Sequence, residues 1–279
     1  MNDYSASNEI AVPNTEELKD FLEKALQITD ETRNLVDEAL IKGFIHYLKP
    51  DKSFVTDVDF AVEEKIRSRL TTWYPSHSII GEELPTHHSE SDYEWIIDPI
   101  DGTHSFRHRI PLFGTLLSLR YRGNLVLGII DLPGIKRRYS GALGLGTWCN
   151  NKKLIVNDID DSKMIEHEII SVGNRSQFSK SGKTNFLDRL VKCHLSVRSY
   201  CDCFGHGLAL EGSVGAVLDP DLHLWDLAAT VVLAKEAGCK FVWLKREDKS
   251  RKGGCYDVVF GKEKVVDWLV NLWNEVDLN

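Results

Sequence analysis

The stretch WIIDPIDGT, residues 95–103, constrains the fold of this chain more tightly than any other. An apolar run of strand type meets two aspartates around a proline, and a glycine and a threonine follow at once. Pro99 has no N–H and a fixed φ, so a regular ladder cannot continue through it. A turn there aims Asp98 and Asp101 at the mouth of a sheet rather than into a core. Gly102 lets the backbone come close to a ligand. A helix starting at Gly102–Thr103 would present free N–H groups to an anion.

The hydrophobic period changes on either side of this stretch. Residues 1–14 are polar and are expected to form a flexible tail. Thr15 fits a helix N-cap, with Glu16 and Glu17 in the first turn. Leu18, Phe21, Leu22, Ala25 and Leu26 follow at helical spacing, with helical character continuing towards Phe44. SFVTDVDFAVEEKIRSRL (53–70) predicts a turn and a second helix with Phe60, Ile66 and Leu70 on its apolar side. From SIIGEE (78–83) onward short runs rich in Ile, Val and Leu appear, and RGN (122–124) predicts a hairpin turn between two of them. The second half alternates: strands are predicted near EIISV, LSVRSY, GAVL, CKFVWL and YDVVF, and helices near 183–192, 205–212, 225–237 and 262–273. This is an α/β chain of layered sheets and helices. No repeat or linker divides residues 15–279, which are expected to form a single domain.

Charge and composition exclude several classes. The 279 residues carry 34 Lys plus Arg against 42 Asp plus Glu, a net charge of −8, and no basic stripe stands out. That argues against nucleic acid as a partner. No run approaches the length of a membrane span, and the N-terminus lacks the pattern of a signal peptide. The six cysteines include no CxxC pair and no zinc spacing, so reduced thiols and a cytoplasmic location are expected. An acidic protein that handles phosphate must screen it locally with cations or backbone N–H groups.

Converging carboxylates repel one another unless a cation lies among them. Hard oxygen ligands suit Mg²⁺, which completes its shell with water and substrate phosphate. Asp98 and Asp101 are therefore predicted to hold magnesium, while Gly102 and Thr103 meet a phosphate. Further candidates are Glu82 and Glu83 in GEE (81–83) and Asp226 in HLWDLAAT (223–230). Each piece alone also has a purely structural reading. Glu82 and Glu83 fit a solvated surface, Asp226 fits a helix cap, and Thr56-x-x-Asp59 fits a capping box.

The conjunction resembles the inositol monophosphatase family of magnesium-dependent, lithium-sensitive phosphatases. The matching stretches are YPSHSIIGEE (74–83), WIIDPIDGTHSF (95–106) and HLWDLAA (223–229), with VTDVD (55–59) matching more loosely. The resemblance implies an αβαβα sandwich like that of fructose-1,6-bisphosphatase, a homodimer, a small phosphorylated metabolite as substrate and two or three Mg²⁺ ions per site. It implies metal ligation by Glu82, Asp98, Asp101, Asp226 and the Ile100 carbonyl. It assigns Thr103 and Asp59 to orienting and deprotonating the attacking water, with Glu83 as a supporting acid.

PLFGTLLSL (111–119), LGIIDLP (127–133) and SYCDCFGHGLALEG (199–212) are similar to the histidinol-phosphate phosphatase branch, whose usual Gly-Asp pair is here Cys201-Asp202. A carboxylate at Asp202 suits the ammonium of an amino-alcohol phosphate; a solvated turn is the alternative. Two positions depart from the family. Asp219 stands where a glutamate usually faces the substrate. His104 stands where that branch often has lysine, either to meet phosphate when protonated or as a surface histidine. The competing readings are an inositol monophosphatase or other sugar or nucleotide phosphatase, a metal-binding regulatory protein without catalysis, and a two-metal nuclease. The missing basic groove speaks against the last.

Overall fold

The computed structural model describes residues 11–160, 165–247 and 253–276. In chain order, α1 (Thr15–Lys42) leads to a hairpin of β1 (His46–Leu48) and β2 (Phe54–Thr56), then α2 (Asp57–Trp73), β3 (Ser78–Gly81) and β4 (Tyr93–Asp101). The short helix α3 (Thr103–Arg107) precedes a meander of β5 (Gly114–Tyr121), β6 (Asn124–Leu132), β7 (Arg137–Ala142), β8 (Gly146–Cys149) and β9 (Lys152–Leu154). The rest runs β10 (Ile170–Val172), α4 (Arg175–Lys180), α5 (Thr184–Cys193), β11 (Val197–Arg198), α6 (Asp202–Leu210), β12 (Ala216–Leu222), α7 (Leu224–Ala237), β13 (Lys240–Glu247), β14 (Cys255–Gly261) and α8 (Glu263–Val276).

These elements stack as five layers. One sheet has the order β3-β4-β5-β6-β7-β8-β9 and the other β11-β10-β12-β14-β13. Leu18, Phe21 and Ile28 of α1 and Val62 and Ile66 of α2 pack on Trp95, Ile97 and Leu117 of the first sheet. Leu227 and Leu233 of α7 and Leu210 of α6 fill the space between Ile130 of that sheet and Val217 and Val258 of the second. Phe186 of α5 and Leu269 of α8 cover the far face at Leu218 and Val259. The αβαβα sandwich implied by the resemblance is the fold of this chain. Arg122 and Gly123 both take positive φ in the two-residue turn between β5 and β6, as a type I′ hairpin requires.

Two expectations are corrected. The cap of α1 is Asn14, not Thr15; its side chain accepts from the Glu17 N–H at 3.0 Å. Residues 11–14 precede α1 without regular secondary structure, with Pro13 buried, and residues 1–10 of the expected tail lie outside the described residues. The helix expected near 205–212 starts earlier, at Asp202. α4 carries little signal in the sequence, since polar RSQFSK shows little amphipathic period; it starts with a capping box from Asn174 and Gln177.

The parity of β4 explains WIIDPIDGT. Trp95 and Ile97 face α1 and α2, whereas Ile96 faces Trp225 and Ala228 of α7. Strict alternation would send Asp98 towards α7 and Asp101 away from it. Between them β4 is irregular: Asp98 pairs with Leu116 and Asp101 with Gly114, so three steps on β4 match two on β5. This extra residue reverses the parity. Ile100 returns to the α1–α2 side, and both aspartates project to the α7 side.

α7 reaches them because β6 lets it come close. A Cβ on Gly128 would lie 2.5 Å from the Ala229 carbonyl oxygen and 2.8 Å from its Cα. Both are backbone atoms with no room to yield. Gly128→Ala is expected to destabilise the protein by about 1–3 kcal/mol through forced separation of α7 and β6, read as a lower urea midpoint at unchanged slope.

Candidate active site

A cleft of ≈ 1300 Å³ opens where the end of β4, α3, the β1–β2 turn, α4, α6 and the start of α7 meet. Carboxylate oxygens of Asp98, Asp101 and Asp226 lie within 4.8 Å of one another on its floor. Glu82, Glu83, the Ile100 residue, Gly102, Thr103, His104 and Asp202 line the same cleft. Lys49, at the β1–β2 turn, places its Nζ 2.9 Å from Glu82 Oε1 and 2.6 Å from Glu83 Oε1.

The electrostatics are those of crowded like charges. Burial pushes the Asp98 carboxyl well above its usual range, and Glu82, Asp101 and Asp226 push it further. Asp226 is raised by burial and then by Asp101 and Glu82. Burial also raises Asp101, against the contacts from Cys203 and His206 that lower it. Burial and Glu82 bring Glu83 to about 7. Burial opposes the charge on Lys49, but Glu82 and Glu83 hold its proton more tightly than usual. Asp98 is 1% exposed, and its Oδ1 has no hydrogen-bond partner among the described residues. A buried, unpartnered carboxylate oxygen beside two other acids fits a hard cation with oxygen ligands, which is the donor preference of Mg²⁺.

The structural and chemical readings of two acids coexist on different oxygens. Asp59 forms the capping box of α2: its Oδ2 accepts from the Thr56 N–H at 2.9 Å and from the Thr56 hydroxyl. Its Oδ1 remains, 3.4 Å from the Thr103 hydroxyl, which also lies 3.0 Å from the Ile100 carbonyl oxygen. Burial lifts Asp59 to about 6, against the Thr56 contacts. Asp226 Oδ2 accepts from the His223 N–H at 2.7 Å and closes the first turn of α7, while the carboxylate still joins the acidic triad. Asp101 Oδ2 accepts from the Cys203 N–H at 2.5 Å, which ties the end of β4 to α6.

Gly102 takes φ 78° and starts α3. His104 is exposed at the rim with its ring edge-on to Phe54. Asp202 opens α6 at φ 59°, a left-handed conformation that aspartate tolerates better than most side chains. Its Oδ2 would lie 3.2 Å from a Cβ on Gly102. No ion pair among the described residues reaches it, and burial, then Asp101 and Asp219, push its carboxyl well up.

Asp219, at the position where the family usually has glutamate, is 1% exposed and off the cleft wall, with its Oδ2 3.4 Å from His206 Nε2. The polar group it reaches is thus His206, whose Nδ1 pairs with the Thr230 hydroxyl at 2.9 Å. A side chain one methylene shorter than glutamate meets a partner inside the protein. Neither His206 nor Lys49 was singled out from the sequence. A lysine beside a Pro-Asp turn and a histidine in a Gly-rich helix carry no local signal of the acids they meet.

The profile of the Inositol monophosphatase family matches residues 8–269. The chain is 29% identical over 228 residues to a histidinol-phosphatase of Chlorobaculum parvum, covering 81% of this chain and 87% of that protein. It is 32% identical over 234 residues to inositol monophosphatase 1 of Xenopus laevis, covering 80% and 81%. A crystal structure of an IMPase/NADP phosphatase complexed with Mg²⁺ and phosphate shares the fold at a TM-score of 0.78 and 21% identity, over 92% of this chain and 95% of that one.

The raised carboxyls make a stability prediction. In the metal-free protein they bind protons more tightly when folded than when unfolded. Between the ordinary carboxylate value of about 4 and the value of about 7 reached by Glu83, the folded state holds the excess protons. Metal-free stability therefore falls as pH rises through that window. Magnesium requires ionised ligands and opposes this slope. The melting temperature in EDTA is expected to drop between about pH 5 and about pH 7.5, and to drop less or rise in excess Mg²⁺. Asp98→Asn is expected to raise the metal-free melting temperature at the higher pH and to abolish stabilisation by Mg²⁺. Scanning calorimetry with and without EDTA checks both.

Proposed function

The chain belongs to the inositol monophosphatase family, and on that premise we propose that it is a magnesium-dependent phosphomonoesterase converting histidinol phosphate to histidinol. In this reading Glu82, Asp98, Asp101, Asp226 and the Ile100 carbonyl hold magnesium. Bound there, magnesium neutralises phosphoryl charge and acidifies water. The chain's own groups handle the proton and the phosphate. Thr103 takes a proton from the attacking water as its own passes to Asp59 Oδ1, 3.4 Å away, and the alkoxide released when the P–O ester bond breaks takes up a proton from solvent. Asp59, lifted to about 6, is ionised at neutral pH and basic enough to take part. The Gly102 and Thr103 N–H groups receive phosphoryl oxygens, with His104 at the rim. Glu83 supports Glu82 through their shared Lys49.

The observation that carries the substrate assignment is the Asp202 carboxylate lying over Gly102 without an ionic partner among the described residues. In histidinol phosphate the ammonium is two carbons from the ester oxygen. A carboxylate that recognises it must therefore stand directly beside the phosphate, and the position of Asp202 next to Gly102 supports this reading. An inositol phosphate offers only neutral hydroxyls there, which a carboxylate binds less strongly than an ammonium. The same reading makes the protein a cytoplasmic homodimer; no described helix is long and apolar enough to cross a membrane.

The test is release of inorganic phosphate from histidinol phosphate, inositol 1-phosphate and a sugar phosphate, with Mg²⁺ and with EDTA. Activity is expected with Mg²⁺ alone, highest on histidinol phosphate. Asp202→Ala should lower kcat/KM on that substrate about 10–100-fold, the worth of one charge-assisted hydrogen bond, and leave inositol phosphate hydrolysis within about twofold. Equal losses on both would remove the assignment. No phosphate release under any condition would favour a non-catalytic metal-binding role.

A further inference from the structure

We propose that Glu63 is a positioning residue: it fixes the turn that carries Glu82 before any metal arrives, and so sets the affinity of the site for magnesium. The inference rests on the metal reading above and concerns a residue outside the cleft. Glu63 lies on α2 one turn after Asp59 and is 0% exposed. Its Oε2 accepts from the Glu83 N–H at 2.8 Å and its Oε1 from the Leu84 N–H at 3.2 Å. Arg67, one turn further on, balances the charge with its Nε 2.8 Å from Oε1, and its guanidinium also reaches the Leu84 carbonyl at 3.4 Å. On the other side the Glu82 N–H donates to the carbonyl of Ile97, the residue before Asp98, at 3.2 Å. The turn is thus clamped between α2 and β4.

Gly81 makes this possible. A Cβ there would lie 2.0 Å from Glu63 Oε1. The carboxylate occupies the space a side chain would take and lies directly on the turn backbone. A buried carboxylate is costly unless every oxygen is satisfied. Here both oxygens are satisfied by two consecutive amides and an arginine, an arrangement that an apolar side chain of the same volume cannot supply. The consequence is a turn that need not be ordered when Glu82 receives a cation, and α2 holds Asp59 and Glu82 in one frame. A group holding a ligand in this way typically changes metal affinity when removed, by about 10–100-fold.

The test is Mg²⁺ binding by isothermal titration calorimetry to the full chain, without substrate, for wild type, Glu63→Gln, Gly81→Ala and the control Glu64→Gln on the exposed face of the same helix. Wild type and Glu64→Gln should bind alike. Glu63→Gln and Gly81→Ala should bind about 10–100-fold more weakly while still melting cooperatively in EDTA. Wild-type affinity in a folded Glu63→Gln overturns the proposal. Absence of Mg²⁺ binding by wild type itself sinks the metal reading instead. Should the variants fail to fold, hydrogen exchange on the wild-type protein decides: the Glu83 and Leu84 amides should be protected in EDTA, and free exchange there before metal binding overturns the proposal.

Discussion

The mutual repulsion of Asp98, Asp101 and Asp226, packed within 4.8 Å on a cleft floor, is the constraint the rest of the molecule accommodates. Charges so placed cost several kcal/mol each unless something of opposite sign meets them. The protein meets them in part with N–H groups from Cys203 and His223, and sets Lys49 against the neighbouring Glu82. Asp98 Oδ1 remains unmet among the described residues. An unmet acid oxygen there fits a site for a cation, and its cost is offset by stability gained elsewhere, in cores that pack all five layers.

Separate elements supply the two walls of the cleft. The acids of the floor come from β4 and α7, joined where Gly128 admits α7 to the first sheet. Asp202 comes from α6, and Asn174, Gln177 and Lys180 from α4 and its cap. The groups suited to the metal and those suited to the rest of a substrate can therefore vary independently, which is how one fold serves several phosphate esters. Similarity to both histidinol-phosphatases and inositol monophosphatases is the expected consequence.

Economy of side chains is a second consequence of the geometry. Asp59 and Asp226 each use one oxygen to close a helix N-terminus, leaving Asp59 Oδ1 near the cleft-lining Thr103 and the Asp226 carboxylate within the acidic triad. Helix capping holds the carboxylate in one rotamer, so local secondary structure pre-orients a group that the proposed chemistry uses. Asp131 performs a purely structural version of this, buried between Arg33 of α1 and Arg138 of β7 and holding the first helix to its sheet.

Much of this was legible in the sequence, because it depends on neighbours along the chain. Hydrophobic period marked most helices and strands; Arg122-Gly123 marked a turn; Pro99 marked a break in the regular ladder of β4, which pairs again at Asp101; and the acids, glycine and threonine that follow marked residues lining one cleft. The polar helix α4 and the strands β7 to β9 escaped because their local patterns are weak, and the Asn14 cap because the adjacent Thr15 is also a capping residue. What only the tertiary structure decided involves residues distant in sequence. The parity reversal that puts Asp98 and Asp101 on one face is set by pairing with β5. Lys49 meets Glu82 and Glu83, and Glu63 meets the turn after Gly81, across gaps that no periodicity encodes. Asp219 is drawn inward by His206 of another element. Sequence determined which groups are available and where the backbone must bend; three-dimensional packing determined which of them share a low-dielectric space, and there their charges acquire chemical meaning.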